Sequence, residues 1–287
     1  MALAEYRNLN FLTLNNGKIV LSTDNYKIKF FNEEDLSEIK ELEISLIKPV
    51  INGLFSLLDG TLIIISDPLL LIKINAKDNT YDILQSIRNF RFRKIIEIPE
   101  LNELFILDLD NINIYMKEIN NFKYFNQLII SFKKCCLNSL LRVNHNEIVI
   151  SSYNKLTFYN IFSKDMKGEI ENISNLDFNE TLCMISDKCL AVSGWDGISI
   201  INIESKTKIR SIFIKMVTCF YKINSQFVLT GEKYGDIKKF EIFENDLILN
   251  ETNFENYNEG INNFVCIKGK FYTGVKDQIL EIKKINY

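Results

Sequence analysis

Proline is nearly absent from this chain, with 3 in 287 residues, and glycine is sparse at 11; there is one tryptophan and one histidine. Turns must therefore be built largely from Asn, Asp, Lys and Ser, and Asn and Asp tolerate the left-handed conformations that turns require. The single histidine, His145, stands in the polar segment VNHNE between two apolar runs, where it reads as a solvated turn residue. A Ser-His-Asp or Cys-His set needs a histidine held beside a nucleophile, so nucleophilic catalysis of that kind has no candidate. The six cysteines, Cys135, Cys136, Cys183, Cys189, Cys219 and Cys266, form no CxxC pair. They read as small buried residues in a reducing compartment, and no metal or other cofactor is expected.

Other absences narrow the function classes. No GxxxxGK[ST] and no strand-linked GxGxxG occurs, so nucleotide binding has no motif. Paired carboxylates, as in Glu33-Glu34-Asp35 and Asp108 with Asp110, carry no glycosidase pattern and read as solvated loops. No run reaches the ~18 apolar residues of a membrane span; the strongest, Leu62 to Ile74, is cut by Asp67-Pro68. The start, MALAEYRNLN, lacks the apolar core of a signal peptide. With a net charge of −3 the chain as a whole does not attract nucleic acid. A soluble, cytoplasmic or nuclear protein without linker or second domain is expected, and no enzyme.

What is present is a repeat. LAVSGWDGISIINIE, from Leu190, gives two short alternating strands around a Trp-Asp-Gly turn, a β-hairpin. The same unit recurs as KIVLSTDNYKIKFFN from Lys18, TLIIISDPLLLIKIN from Thr61, ELFILDLDNINIYM from Glu103, EIVISSYNKLTFYN from Glu147, FVLTGEKYGDIKKFE from Phe227 and FYTGVKDQILEIKK from Phe271. The large apolar residue near the end of each second strand falls at Phe31, Ile74, Tyr115, Tyr159, Ile201, Phe240 and Ile282, in steps of 43, 41, 44, 42, 39 and 42. A period of roughly 40–45 residues with four short strands per unit is the signature of a propeller blade.

On these hairpins the chain resembles the WD-repeat β-propellers over its full length, most clearly at SGWDGISIINIE from Ser193 and LTGEKYGDIKKFEI from Leu229. The family's Trp-Asp ends the strand after the turn, where this chain has Ile201-Asn202, so Trp195-Asp196 is not that pair. The Asp-His-Ser/Thr-Trp tetrad of the family cannot repeat with one histidine, and apolar packing between sheets has to hold the blades. A Kelch-like or other propeller also fits the period. The expected fold is all-β, a seven-bladed β-propeller of four-stranded antiparallel blades spanning about 9–46, 51–88, 92–132, 136–174, 181–214, 216–252 and 262–287. The seventh unit is one strand short, and Ala2 to Arg7 is expected to supply it and close the ring, covering an exposed edge.

The resemblance implies that loops between second and third strands open on the same side as the loops joining blades. The first set carries Tyr26, Tyr153, Trp195 and Tyr234, aromatics of the kind that anchor interfaces. The second carries RNFRFRK, with Arg88, Arg91, Arg93 and Lys94, and then Lys133 and Lys134, with Lys155 nearby. RFRK is not the Phe-Arg-Arg-Gly motif of phosphoinositide-binding propellers, and that function is not carried over. The expected role is a non-catalytic scaffold or adaptor for protein partners. An alternative is a substrate receptor that reads an acidic or phosphorylated segment through the basic loop. A third reading, a propeller hydrolase, lacks inward-facing His, Asp or Glu recurring at the start of first strands.

Overall fold

A computed structural model describes residues 11–13, 18–22, 27–32, 34–35, 37–43, 48–67, 69–74, 81–87, 94–108, 111–118, 121–129, 137–152, 154–173, 181–194, 196–214, 216–244, 246–256, 260–261, 263–267, 270–275 and 278–282. These residues are strands joined by short turns, and no helix among them is long and apolar enough to cross a membrane. Sheet 1 holds β1 (Phe11–Thr13), β2 (Lys18–Ser22), β3 (Lys27–Asn32) and β4 (Glu38–Glu43). Sheet 2 holds β5 (Lys48–Ser56), β6 (Leu62–Asp67), β7 (Leu69–Ile74) and β8 (Tyr81–Ile87). In sheet 3 are β9 (Lys94–Ile98), β10 (Glu103–Leu107), β11 (Asn111–Glu118) and β12 (Asn121–Ile129), with a 3-10 turn at Pro99–Leu101. Sheet 4 has β13 (Leu137–Arg142), β14 (Glu147–Ser152), β15 (Lys155–Asn160) and β16 (Met166–Glu171). Sheet 5 has β17 (Leu182–Met184), β18 (Cys189–Gly194), β19 (Gly197–Asn202) and β20 (Thr207–Phe213). Sheet 6 has β21 (Val217–Lys222), β22 (Phe227–Glu232), β23 (Asp236–Phe243) and β24 (Asp246–Asn256). Sheet 7 has β25 (Phe264–Ile267), β26 (Lys270–Val275) and β27 (Gln278–Ile282).

Every sheet pairs its strands antiparallel in sequence order, so the repeated hairpin is the building block throughout. The all-β expectation and the four-strand unit are borne out in six sheets. Sheet 7 shows three strands among the described residues, and the expected closing segment, Ala2 to Arg7, lies outside them.

The chain divides into two compact units, one of residues 1–92, 118–122 and 262–287, the other of 93–117 and 123–261. Within the first unit β1 meets both β5 and β25. Within the second, β13 meets β9 and β17, and β17 meets β21. Sheets that stack face to face and converge on their first strands form the arrangement of β-propeller blades.

Packing explains the continuous apolar runs. Along β14, Ile148 and Ile150 pack toward sheet 3 with Phe105, Ile112 and Ile114, while Val149 between them packs toward sheet 5 with Leu190, Val192 and Ile201. Ala191, Ile198 and Ile200 of sheet 5 turn the other way, onto Val228, Phe240 and Leu247 of sheet 6. Second and third strands are thus covered on both faces, which is why they lack the apolar-polar alternation of a one-sided sheet. Each fully buried Leu, Ile or Phe contributes about 1.5–3 kcal/mol relative to exposure.

The fourth strands carry a device that the sequence pattern did not reveal. In four sheets the third and fourth strands slip by one residue, leaving Ile39, Leu84, Lys167 and Ile209 as extra residues in β4, β8, β16 and β20, and β24 slips twice, at Asn250 and again between Glu251 and Glu255. A bulge raises the local twist, which turns the outermost strand away from the plane of its sheet.

Candidate functional site

Side-chain bonds between neighbouring sheets fix which loops share an end. Lys164, in the turn between β15 and β16, donates to Glu103 Oε2 at the start of β10 at 2.6 Å. Lys206, in the equivalent turn of sheet 5, reaches Glu147 Oε1 at the start of β14 at 3.5 Å. Lys222, at the end of β21, donates to the carbonyl of Ile185 at 2.8 Å. Among the described residues, turns 1–2 of sheets 3 to 6 and turns 3–4 of sheets 4 and 5 therefore lie at one end of the second unit. The turn at Lys233–Gly235 and the described starts of first strands lie at the other.

Of the residues expected to bind a partner, two are described, and both stand at that second end. Tyr234 occupies the turn between β22 and β23, with its side chain in solvent (59% exposed). The turn is held from three sides. Gly235, at φ 91°, donates its N–H to the carbonyl of Glu232 at 3.1 Å; Lys233 N–H donates to the carbonyl of Met216 at 3.1 Å; and Ile261 N–H donates to Glu232 O at 3.1 Å. Below it the Glu232 carboxylate is buried and paired with the Lys238 ammonium.

Lys94 is the first residue of β9, opposite Leu107. The residue as a whole is exposed, yet enough protein surrounds its ammonium for desolvation to push its pKa below the ordinary lysine value. A cation in a crowded position is poised to gain from an anion that replaces lost hydration. Arg88, Arg91, Arg93, Lys133, Lys134, Tyr26, Tyr153 and Trp195 lie outside the described residues. Lys155 does not add a free positive charge as expected: its ammonium is paired with Glu169 and stands 3.8 Å from Glu171.

A residue that the sequence reading missed joins Tyr234 at this end. Phe213 closes β20 opposite Gly197 and is 87% exposed. A residue at the end of a strand reads as packing, but the bulge at Ile209 resets the alternation of β20 and so sets the face on which this phenylalanine stands. Gly197 makes the pairing possible: at φ 152° a Cβ there would collide with the carbonyl oxygen of Ile212. The Met216–Lys233 bond ties the segment after Phe213 to the turn that carries Tyr234, so two large aromatics of adjacent sheets are held at one end.

The opposite end holds the lone histidine. Arg142 makes a bidentate pair with Glu100, at 3.0 and 2.9 Å, and also donates to the carbonyls of Asn144 and His145. The imidazole Nδ1 stands 3.5 Å from Glu100, and the ring is tilted against Phe162 with centroids 5.6 Å apart. The hydrogen bonds from Arg142 hold the Glu100 carboxyl well below the usual range, at about 2. Four of the five N–H groups of the guanidinium are aimed at protein acceptors, so this cluster fixes two turns.

Among the described residues no group of three or more His, Cys, Asp or Glu is placed to hold a metal ion. Burial pushes the Cys183 thiol up to about 11 and the Cys219 thiol up to about 12, the reverse of what a thiolate nucleophile needs. No protein-family model matches the chain, and no curated protein is detectably similar to it.

Proposed function

We propose that this chain is a non-catalytic intracellular scaffold, a closed propeller of seven blades of the WD-repeat kind, that binds a protein partner on the end carrying turns 2–3. The segment Ala2 to Arg7 would supply the outer strand of sheet 7. The observation that carries the reading is the exposure of Phe213 and Tyr234 on adjacent sheets at the same end. An aromatic held rigidly in water costs little further ordering when a partner covers it, and burying each is worth about 1.5–3 kcal/mol. A photo-crosslinking phenylalanine placed at 213 or 234 should give protein adducts in cells, and one placed at His145, on the opposite end, should not. Equal labelling from both ends would defeat the proposal.

A second reading, a receptor for an acidic or phosphorylated segment, is favoured by Lys94. An exposed lysine whose ammonium has lost part of its hydration suits a carboxylate or phosphate, and Arg88, Arg91 and Arg93 precede it in sequence. In that case Lys94→Glu should abolish binding of a phosphoserine peptide library, and wild-type binding should weaken steeply with salt. Binding that ignores both changes would favour the apolar interface.

A further inference from the structure

We draw no further inference here: the strongest candidate, the exposed surface patch of Phe243 and Ile248 on one face of β23 and β24 at the outer side of sheet 6, carries nothing because nothing in the structure shows what covers it.

Discussion

The Lys164 ammonium stands 2.6 Å from Glu103 and 4.4 Å from the centre of the Phe105 ring, so one turn of sheet 4 is fastened to both the charge and the aromatic face of sheet 3. Lys206 repeats the arrangement one sheet later, 3.5 Å from Glu147 and 4.9 Å from the centre of the Phe158 ring. Both lysines sit at positive φ, 63° and 53°, in a turn opened by an asparagine. Asn160 Oδ1 accepts the N–H groups of Phe162 and Ser163; Asn202 Oδ1 accepts those of Glu204 and Ser205. The asparagine at the end of the third strand shapes the turn, and the shaped turn aims the lysine at the preceding sheet.

Lys164→Met should therefore destabilise the protein by about 1–3 kcal/mol, because it leaves the nearly buried Glu103 carboxylate without its partner. Lys206→Met should cost less, since its pair is longer and its glutamate more exposed. Urea unfolding of the two variants compares them directly. Equal midpoints for Lys164→Met and wild type would mean that the clamp contributes nothing.

Glu100 gives a pH prediction. Its carboxyl titrates at about 2 in the folded protein against an ordinary 4.5, chiefly because Arg142 hydrogen-bonds the charged form. A depressed carboxyl stabilises the fold above its unfolded pKa, and that contribution is lost as pH falls from the ordinary range through about 2. In the Arg142→Gln variant the carboxyl should move back toward its ordinary value. Carbon-detected NMR titration of Glu100 reads both numbers.

Much of the fold was legible because period and hydrophobicity are properties of the chain itself: the seven repeated hairpins, from β2 at Lys18 to β27 at Gln278, lie where the repeat put them, while the expected closing strand at Ala2 to Arg7 lies outside the described residues. What the pattern did not carry is what neighbouring sheets do to each other. The clamp was visible only as a near-repeat, NIFSKD from Asn160 and NIESKT from Asn202, whose meaning depends on a partner in the preceding sheet. The exposure of Phe213 was hidden for a related reason, since a bulge shifts the face of every residue after it. The basic stretch was counted as a sum of charges, and Lys155 shows the weakness of that sum: its carboxylates come from β16, in the next strand over.

Thiol reactivity follows from burial. With Cys183 held up near 11 and Cys219 near 12, neither forms appreciable thiolate at pH 8, and iodoacetamide should leave both unmodified in the native protein. In denaturant both should label quickly. A raised thiol pKa costs no stability below about pH 8, where the group is protonated in both states; stability then falls as pH rises through the unfolded value toward the folded one. Rapid native labelling of Cys219 would contradict its placement against Ile261.

Two phenylalanines of sheets 4 and 5 should separate packing from presentation. Phe158 has no exposed surface and lies between Val149 and the residues Leu190, Val192 and Ile201 of the next sheet, beneath the Lys206 ammonium. Removing its ring opens a cavity that stiff strands on either side cannot close, so Phe158→Ala should cost about 3–5 kcal/mol. Phe213 has almost nothing to lose, and Phe213→Ala should change stability by no more than about 0.5 kcal/mol. Thermal and urea melts of the two variants decide it. A large loss from Phe213→Ala would mean that its ring packs within the protein, which would remove an aromatic on which the end-on interface relies. A small loss, together with weakened partner binding, is the outcome that a residue kept in water for another molecule requires.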